Sequence, residues 1–264
     1  MSKSFIHTMG NTVGKAAALD FGIQWACWAV ASILQTEKFY DFAGSITFCL
    51  LTLQSLRWNQ TFFRRQIIQS GMVLTWAVRL GFYLFTRILH EGQDRRFDKV
   101  RTRPGVFLLY WTIQGVWILL TLLPTLMLNS KKQNKPVTKR DYIGWSLWAI
   151  GFLFEALADY QKSQFRADPA NAGKFICHGL WSISRHPNYF GEILMWSGLW
   201  LSASSVLSGW QQCVSLISPL FTSYLLIGIS GIPLLEQYGQ RKWGMDPAYQ
   251  EYIKNTAKLV PYLW

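Results

Sequence analysis

Apolar and polar positions fall along this chain in long blocks, without the two-residue alternation of a half-buried strand. Seven apolar stretches come close to the roughly 20 residues a helix needs to cross a hydrocarbon core. They are 16–34, 42–56, 67–89, 105–128, 142–165, 189–207 and 214–235, the second being short and extended by its flanks. The segments between them, RWNQTFFRRQ, HEGQDRRFDKVRTRP and NSKKQNKPVTKRD among others, are polar, basic and without periodicity, as solvated loops are. The pattern predicts an all-α, polytopic integral membrane protein of about seven transmembrane helices. It forms a single membrane domain over 1–264 with a polar C-terminal tail over 236–264. There is no internal repeat.

Composition sharpens this picture. The chain of 264 residues is 50% hydrophobic and carries 14 Trp, 17 Phe and 11 Tyr, a density suited to lipid and interface contact. A formal net charge of +12 raises the question of nucleic acid. The basic residues, however, sit in short blocks between apolar stretches rather than along one soluble face, so membrane lipids and not nucleic acid are the expected neighbours. Cys27, Cys49, Cys177 and Cys213 have no CxxC pair and no metal-ligand spacing, so neither a disulfide framework nor a metal site is expected. The N-terminal residues lack the short apolar core and small-residue cleavage site of a signal peptide, and the first apolar stretch is expected to remain as a span.

An odd number of spans puts loop 90–103, loop 166–188 and the C-terminal tail on one side. Loop 130–140, with five Lys or Arg on the other side, nearly cancels the positive-inside bias. The site is placed on the cytosolic face.

Charge inside apolar stretches is expensive and marks candidate chemistry. Asp20 and Gln24 in the first stretch must face other helices or the interface. Arg79 and Arg87, eight residues apart in the third, either point one way or snorkel to opposite interfaces. The richest segment is 155–196, EALADYQKSQFRADPANAGKFICHGLWSISRHPNYFGEILMW. On a helix, Glu155, Asp159, Lys162 and Arg166 fall at spacings of four, three and four and form one stripe. Ion pairing at a helix end accounts for the two bases but poorly for carboxylates reaching back into the span. Further on, Arg166, Lys174, Arg185, His186 and Asn188 cluster around the turn formers Pro169 and Gly173 and the start of a helix near Pro187. Such a set can hold an anionic, multiply hydrogen-bonding ligand such as a nucleotide, or a lipid headgroup. Neither GxGxxG after a strand nor a Walker motif is present.

The run D-Y-Q-K-x-x-F-R from Asp159, then G-K-F and G-L-W-x-x-S-R-H-P-N-Y-F-G-E-x-x-x-W, closely resembles the bacterial and plant membrane proteins of the steroid 5-alpha-reductase superfamily, including members long labelled only as a domain of unknown function. The resemblance extends to TEKFYD, to R-L-x-x-Y-L and to Tyr249 and Tyr252. It implies a seven-helix membrane reductase that takes hydride from NADPH and saturates a carbon–carbon double bond conjugated to a carbonyl. Carried over residue by residue, its cofactor contacts resemble Asp159, Arg166, Lys174, Asn188 and Glu192, and Arg185, His186 and Tyr189 of the R-H-P-N-Y run are counted with them. In the steroid enzymes a Gln-Glu pair in the second helix and a Tyr in the third polarise the substrate carbonyl. Here Gln54 matches one member of that pair and no Glu follows it, while Tyr83 is the nearest candidate for the acid, with Gln54 as its expected neighbour.

The R-H-P-x-Y-x-G element is also similar to membrane methyltransferases that act on isoprenylcysteine or phospholipids with S-adenosylmethionine, and this is the alternative function. A lipid-binding scaffold without catalysis would leave the buried carboxylates unexplained. The expected partner is a lipophilic small molecule: a flat sterol, an enoyl lipid and an isoprenoid enone all suit an apolar cavity open to the bilayer. Nothing in the pattern sets an oligomeric state.

Overall fold

The computed structural model describes residues 3–133 and 135–263. Each predicted stretch is helical, and no strand occurs among the described residues. In chain order come α1 (Lys3–Leu34), α2 (Tyr40–Asn59), α3 (Arg64–Glu91), α4 (Pro104–Asn129), α5 (Lys139–Ala167) and α6 (Pro187–Ser204). After them come α7 (Trp210–Ser215), α8 (Ile217–Tyr224), a π-helical turn (Leu225–Ile229), α9 (Ile232–Trp243) and α10 (Pro247–Asn255). Four stretches, Thr8–Leu34, Arg64–His90, Pro104–Asn129 and Trp210–Trp243, are long and apolar enough to cross a membrane by length and composition. Pro104, Pro187 and Pro247 each open a helix at the position where a missing N–H costs nothing.

The seventh stretch differs from its expectation. It is not one helix over 214–235 but a succession of short ones, interrupted at the π-helical turn and again at Gly231, with Pro233 just inside α9. The polar C-terminal segment is largely helical and mostly exposed: α9 runs on to Trp243 and α10 follows, with Tyr249 buried.

The chain forms two compact units, Met1–Asp141 with Ala203–Ser218, and Tyr142–Ser202 with Pro219–Trp264. In the first, α2 and α3 form an antiparallel hairpin. Its register is fixed by Phe42 against Phe85 and Phe48 against Trp76, each pair 5.0 Å between ring centres, and by Gly81, which packs on Ser45. Asp20 and Gln24 face other helices: Gln24 Nε2 donates to Asp20 Oδ1 and to Thr47 Oγ1, both at 3.2 Å, and Gln24 Oε1 accepts from Gln114 Nε2 at 2.9 Å. Arg87 reaches Asp41 at 3.5 Å. A buried fork joins Arg65 to Asp141 at 2.5 and 2.8 Å and ties α3 to the start of α5.

In the second unit α5 and α6 run antiparallel along a glycine seam. Gly144 and Gly151 on α5 meet Gly198 and Gly191 on α6, the two glycines on each helix being spaced seven positions apart. A Cβ on Gly151 or Gly191 would lie 2.5 Å from the other's carbonyl oxygen, so only glycine permits this approach. The seam brings the far end of α5 beside the first turn of α6, where the charged residues gather.

Candidate functional site

Beyond the seam, α5 carries the predicted stripe: Glu155 and Asp159 are buried, Lys162 is half-buried and Arg166 is exposed. Trp181 closes over this end, its Nε1 donating to the Ala158 carbonyl at 3.1 Å, and Lys162 Nζ lies 4.4 Å from the centre of its ring. Gln161 Oε1 accepts the Leu180 N–H at 2.9 Å, next to Gly179, which has a φ of +61°. A side chain at Gly179 would collide with the Gln161 amide, so the turn into the run G-L-W requires glycine on both counts.

The R-H-P-N run is held from two sides. Glu236 of α9 receives both of its first two residues: Arg185 Nη1 donates to Oε2 at 2.5 Å, and His186 Nε2 lies 2.8 Å from Oε1. Asn188 Nδ2 donates to Asp159 Oδ1 at 3.2 Å, and the His186 ring stacks on Tyr189 at 5.8 Å with 8° between planes. The chain's last segment straps the same run. The Arg185 N–H donates to the Ala257 carbonyl at 2.9 Å, Ser184 Oγ to that of Leu259 at 2.7 Å, and Tyr252 OH to that of Trp181 at 2.7 Å.

These elements enclose a cavity of about 140 Å³. Lys162, Arg166, Lys174 and Arg185 line it, and Glu236 is the one carboxylate among the described lining residues. Its other wall is aromatic: Phe175 packs against Tyr249 at 5.0 Å, Tyr252 at 5.4 Å and Trp243 at 5.8 Å between ring centres, and Tyr238 adds its edge. Burial pushes the His186 pKa down; the Glu236 carboxylate opposes this, while Lys162 and Arg185 add to it, and the net shift is downward, so the ring is neutral at physiological pH. Burial raises the Tyr249 and Tyr252 phenols, which stay protonated.

Of the sequence candidates, Arg166, Lys174, Arg185 and His186 line the cavity, Asp159 and Asn188 bond to each other, Tyr189 supports His186, and Glu192 lies half-buried on α6 one turn beyond Asn188. Arg185 is engaged with Glu236, so its charge is compensated within the protein. Gln54 and Tyr83 belong to the first unit, and the structure does not bring them together. The hairpin register sets Tyr83 level with residues 43–44, and Gln54 lies about ten residues, or ~15 Å, further along α2. The expected sharing of one substrate oxygen by these two side chains is therefore corrected. Sequence reading missed Glu236, Trp181 and most of the aromatic wall. For the wall the signal was the Y-x-x-Y spacing of Tyr249 and Tyr252, whereas Glu236, at the end of an apolar stretch, gave none.

Among curated proteins, the chain is similar to the bovine (Bos taurus) 3-oxo-5-alpha-steroid 4-dehydrogenase 1, 28% identical over 120 residues that cover 46% of this chain and 41% of that protein. It is also similar to a Delta(14)-sterol reductase of Saccharomyces cerevisiae, 25% identical over 242 residues, 84% of this chain and 50% of that protein. A probable O-methyltransferase of Ustilaginoidea virens is 33% identical over 66 residues, 25% of this chain and 23% of that protein. The chain thus spans between about a quarter and a half of the length of these relatives. No solved structure matches. The relatives named as steroid and sterol reductases agree with the resemblance read from the D-Y-Q-K and R-H-P-N-Y runs. A family model matches residues 27–256, nearly the whole chain, and this chain belongs to that family, described as Protein of unknown function (DUF1295).

Proposed function

We propose that this protein is a membrane-embedded, NADPH-dependent reductase that saturates a carbon–carbon double bond conjugated to a carbonyl in a lipophilic, steroid-like substrate. The observation that carries this reading is the charge of the cavity: four basic side chains face it, and its one described carboxylate is already bonded to Arg185. Such a cavity calls for a polyanion. NADPH brings a pyrophosphate and a ribose phosphate, whereas S-adenosylmethionine brings a sulfonium cation and no phosphate, so like-charge repulsion disfavours the methyltransferase alternative here. The aromatic wall suits a nucleotide ring, and the names of the curated relatives support reductase chemistry.

When bound, NADPH supplies the hydride. Lys162, Arg166 and Lys174 hold phosphate charge, and Asp159, Asn188 and Glu192 fix amide or hydroxyl groups. Tyr83 is the proposed donor at the substrate carbonyl oxygen, where negative charge develops as the hydride adds. The whole chain is taken as one multi-pass membrane domain with the cofactor site on the cytosolic face. Purified protein in lipid nanodiscs titrated with NADPH, NADH and S-adenosylmethionine tests the reading. Binding should be tightest for NADPH, and tighter binding of S-adenosylmethionine, or no nucleotide binding, would overturn it.

A further inference from the structure

His186 uses only one of its two ring nitrogens. It is 4% exposed and lines the cavity; Nε2 meets Glu236 Oε1 at 2.8 Å, while Nδ1 is buried with no hydrogen-bond partner. An ionised carboxylate can only accept, so in a neutral ring the proton sits on Nε2 and Nδ1 is a bare acceptor. Asn188, two residues on, repeats the arrangement: Nδ2 donates to Asp159, and Oδ1 is buried with no partner. Buried acceptors are normally satisfied, and an unsatisfied one on the cavity-lining His186, with a second two residues on, marks the place of a ligand's donors.

We propose that Glu236 is a positioning residue that fixes His186 as its Nε2–H tautomer, so that His186 Nδ1 and Asn188 Oδ1 accept hydrogen bonds from N–H or O–H donors of the bound nucleotide. The ligand half rests on the NADPH reading; the tautomer half does not. Glu236→Gln gives a sharp test because Arg185 has only donors. The amide oxygen must stay with Arg185, which turns the amide NH₂ towards His186 Nε2. The ring proton then moves to Nδ1 and the acceptor becomes a donor.

The experiment is nitrogen NMR of the full chain in nanodiscs with ¹⁵N-labelled histidine, His186 being assigned by its loss in His186→Gln. The wild type should show a neutral Nε2–H ring at neutral pH, and adding NADP⁺ should shift the Nδ1 resonance. Glu236→Gln should show the Nδ1–H ring and bind NADPH about tenfold more weakly. The 3-acetylpyridine analogue of NADP⁺ lacks the carboxamide N–H. If it leaves Nδ1 unshifted, the carboxamide is the donor; if it shifts Nδ1 as NADP⁺ does, the donor is a ribose hydroxyl or the adenine amino group. A wild-type ring protonated on Nδ1 overturns the tautomer assignment without any variant. Nucleotide binding with Nδ1 unmoved overturns the ligand assignment alone, whereas no binding at all sinks the NADPH reading and the ligand half with it.

Discussion

Gly191→Ala should weaken both the fold of the second unit and its hold on a nucleotide. The added Cβ would lie 2.5 Å from the Gly151 carbonyl oxygen and 2.7 Å from the Glu155 nitrogen. Ordinary contacts need about 3.5 Å or more, so α5 and α6 must part by ~1 Å. Both obstructing atoms are helix backbone, and no rotamer change relieves them. Overpacking of this kind costs about 1–3 kcal/mol, against a gain of about 1 kcal/mol for replacing glycine within a helix. The net loss is about 0–2 kcal/mol, towards the upper end because both obstructing atoms belong to rigid helix backbone. Function should suffer as well, because Asn188 sits three residues before Gly191 and donates to Asp159 across the same seam at 3.2 Å. Parting the helices by ~1 Å takes that bond beyond hydrogen-bonding reach. Asn188 then loses its fixed position, and losing its proposed contact to NADPH, about 0.5–1.5 kcal/mol, should lower the affinity up to roughly tenfold.

Thermal unfolding in detergent reads the first effect and NADPH titration the second. Gly22→Ala is the control: this glycine lies exposed on α1 with nothing within 4 Å of a would-be Cβ, and its replacement should be neutral or stabilising by up to about 1 kcal/mol. A Gly191→Ala protein as stable as the wild type, with unchanged affinity, would refute the close-packed seam as the element that positions Asn188.

Arg166→Ala and Lys174→Ala should each weaken NADPH binding roughly tenfold or more, with a smaller effect on NADH if the contact is to the ribose phosphate; isothermal titration with both nucleotides decides it. Tyr83→Phe should bind NADPH as the wild type does and lose on the order of a hundredfold in turnover once a substrate is in hand, and a wild-type rate would leave Tyr83 as packing only. Asp141 offers a pH test. Burial raises its pKa, but the hydrogen bonds from Arg65 and Thr138 outweigh burial and bring it down to about 2. Its contribution is therefore present above the ordinary carboxylate range near 4 and lost as pH falls towards about 2, roughly 2 kcal/mol in all. Unfolding followed from pH 5 to 2 should show this loss in the wild type and a flatter profile in Asp141→Asn. Single cysteines placed at Lys174 and Lys258 should label from the same face of the membrane, since residues 184–185 bond directly to 257 and 259; labelling from opposite faces would contradict that strap.

The two halves of the site were unequally legible, for a physical reason. Charge in an apolar stretch is costly wherever it occurs, so Glu155 and Asp159 stood out from the sequence alone, and a dense local run from Arg166 to Glu192 could be read as one cluster. Glu236 carried no such signal. At the end of an apolar stretch a carboxylate is cheap, and its partners Arg185 and His186 lie about fifty residues away. Register between helices is hidden in the same way. Side chains on the two arms of a hairpin meet only when they stand at similar distances from its turn. Gln54 is a few residues from the turn at 60–63 and Tyr83 about twenty, so their pairing failed on geometry that residue type does not encode. The cavity thus owes its charge to local sequence and its closure to distant chain. Lys162, Arg166 and Lys174 would remain basic in any fold, but only α9, α10 and the strap at 257–259 compensate Arg185, orient His186 and supply the aromatic wall, so the segment that began as a solvated tail in the sequence belongs to the site's architecture.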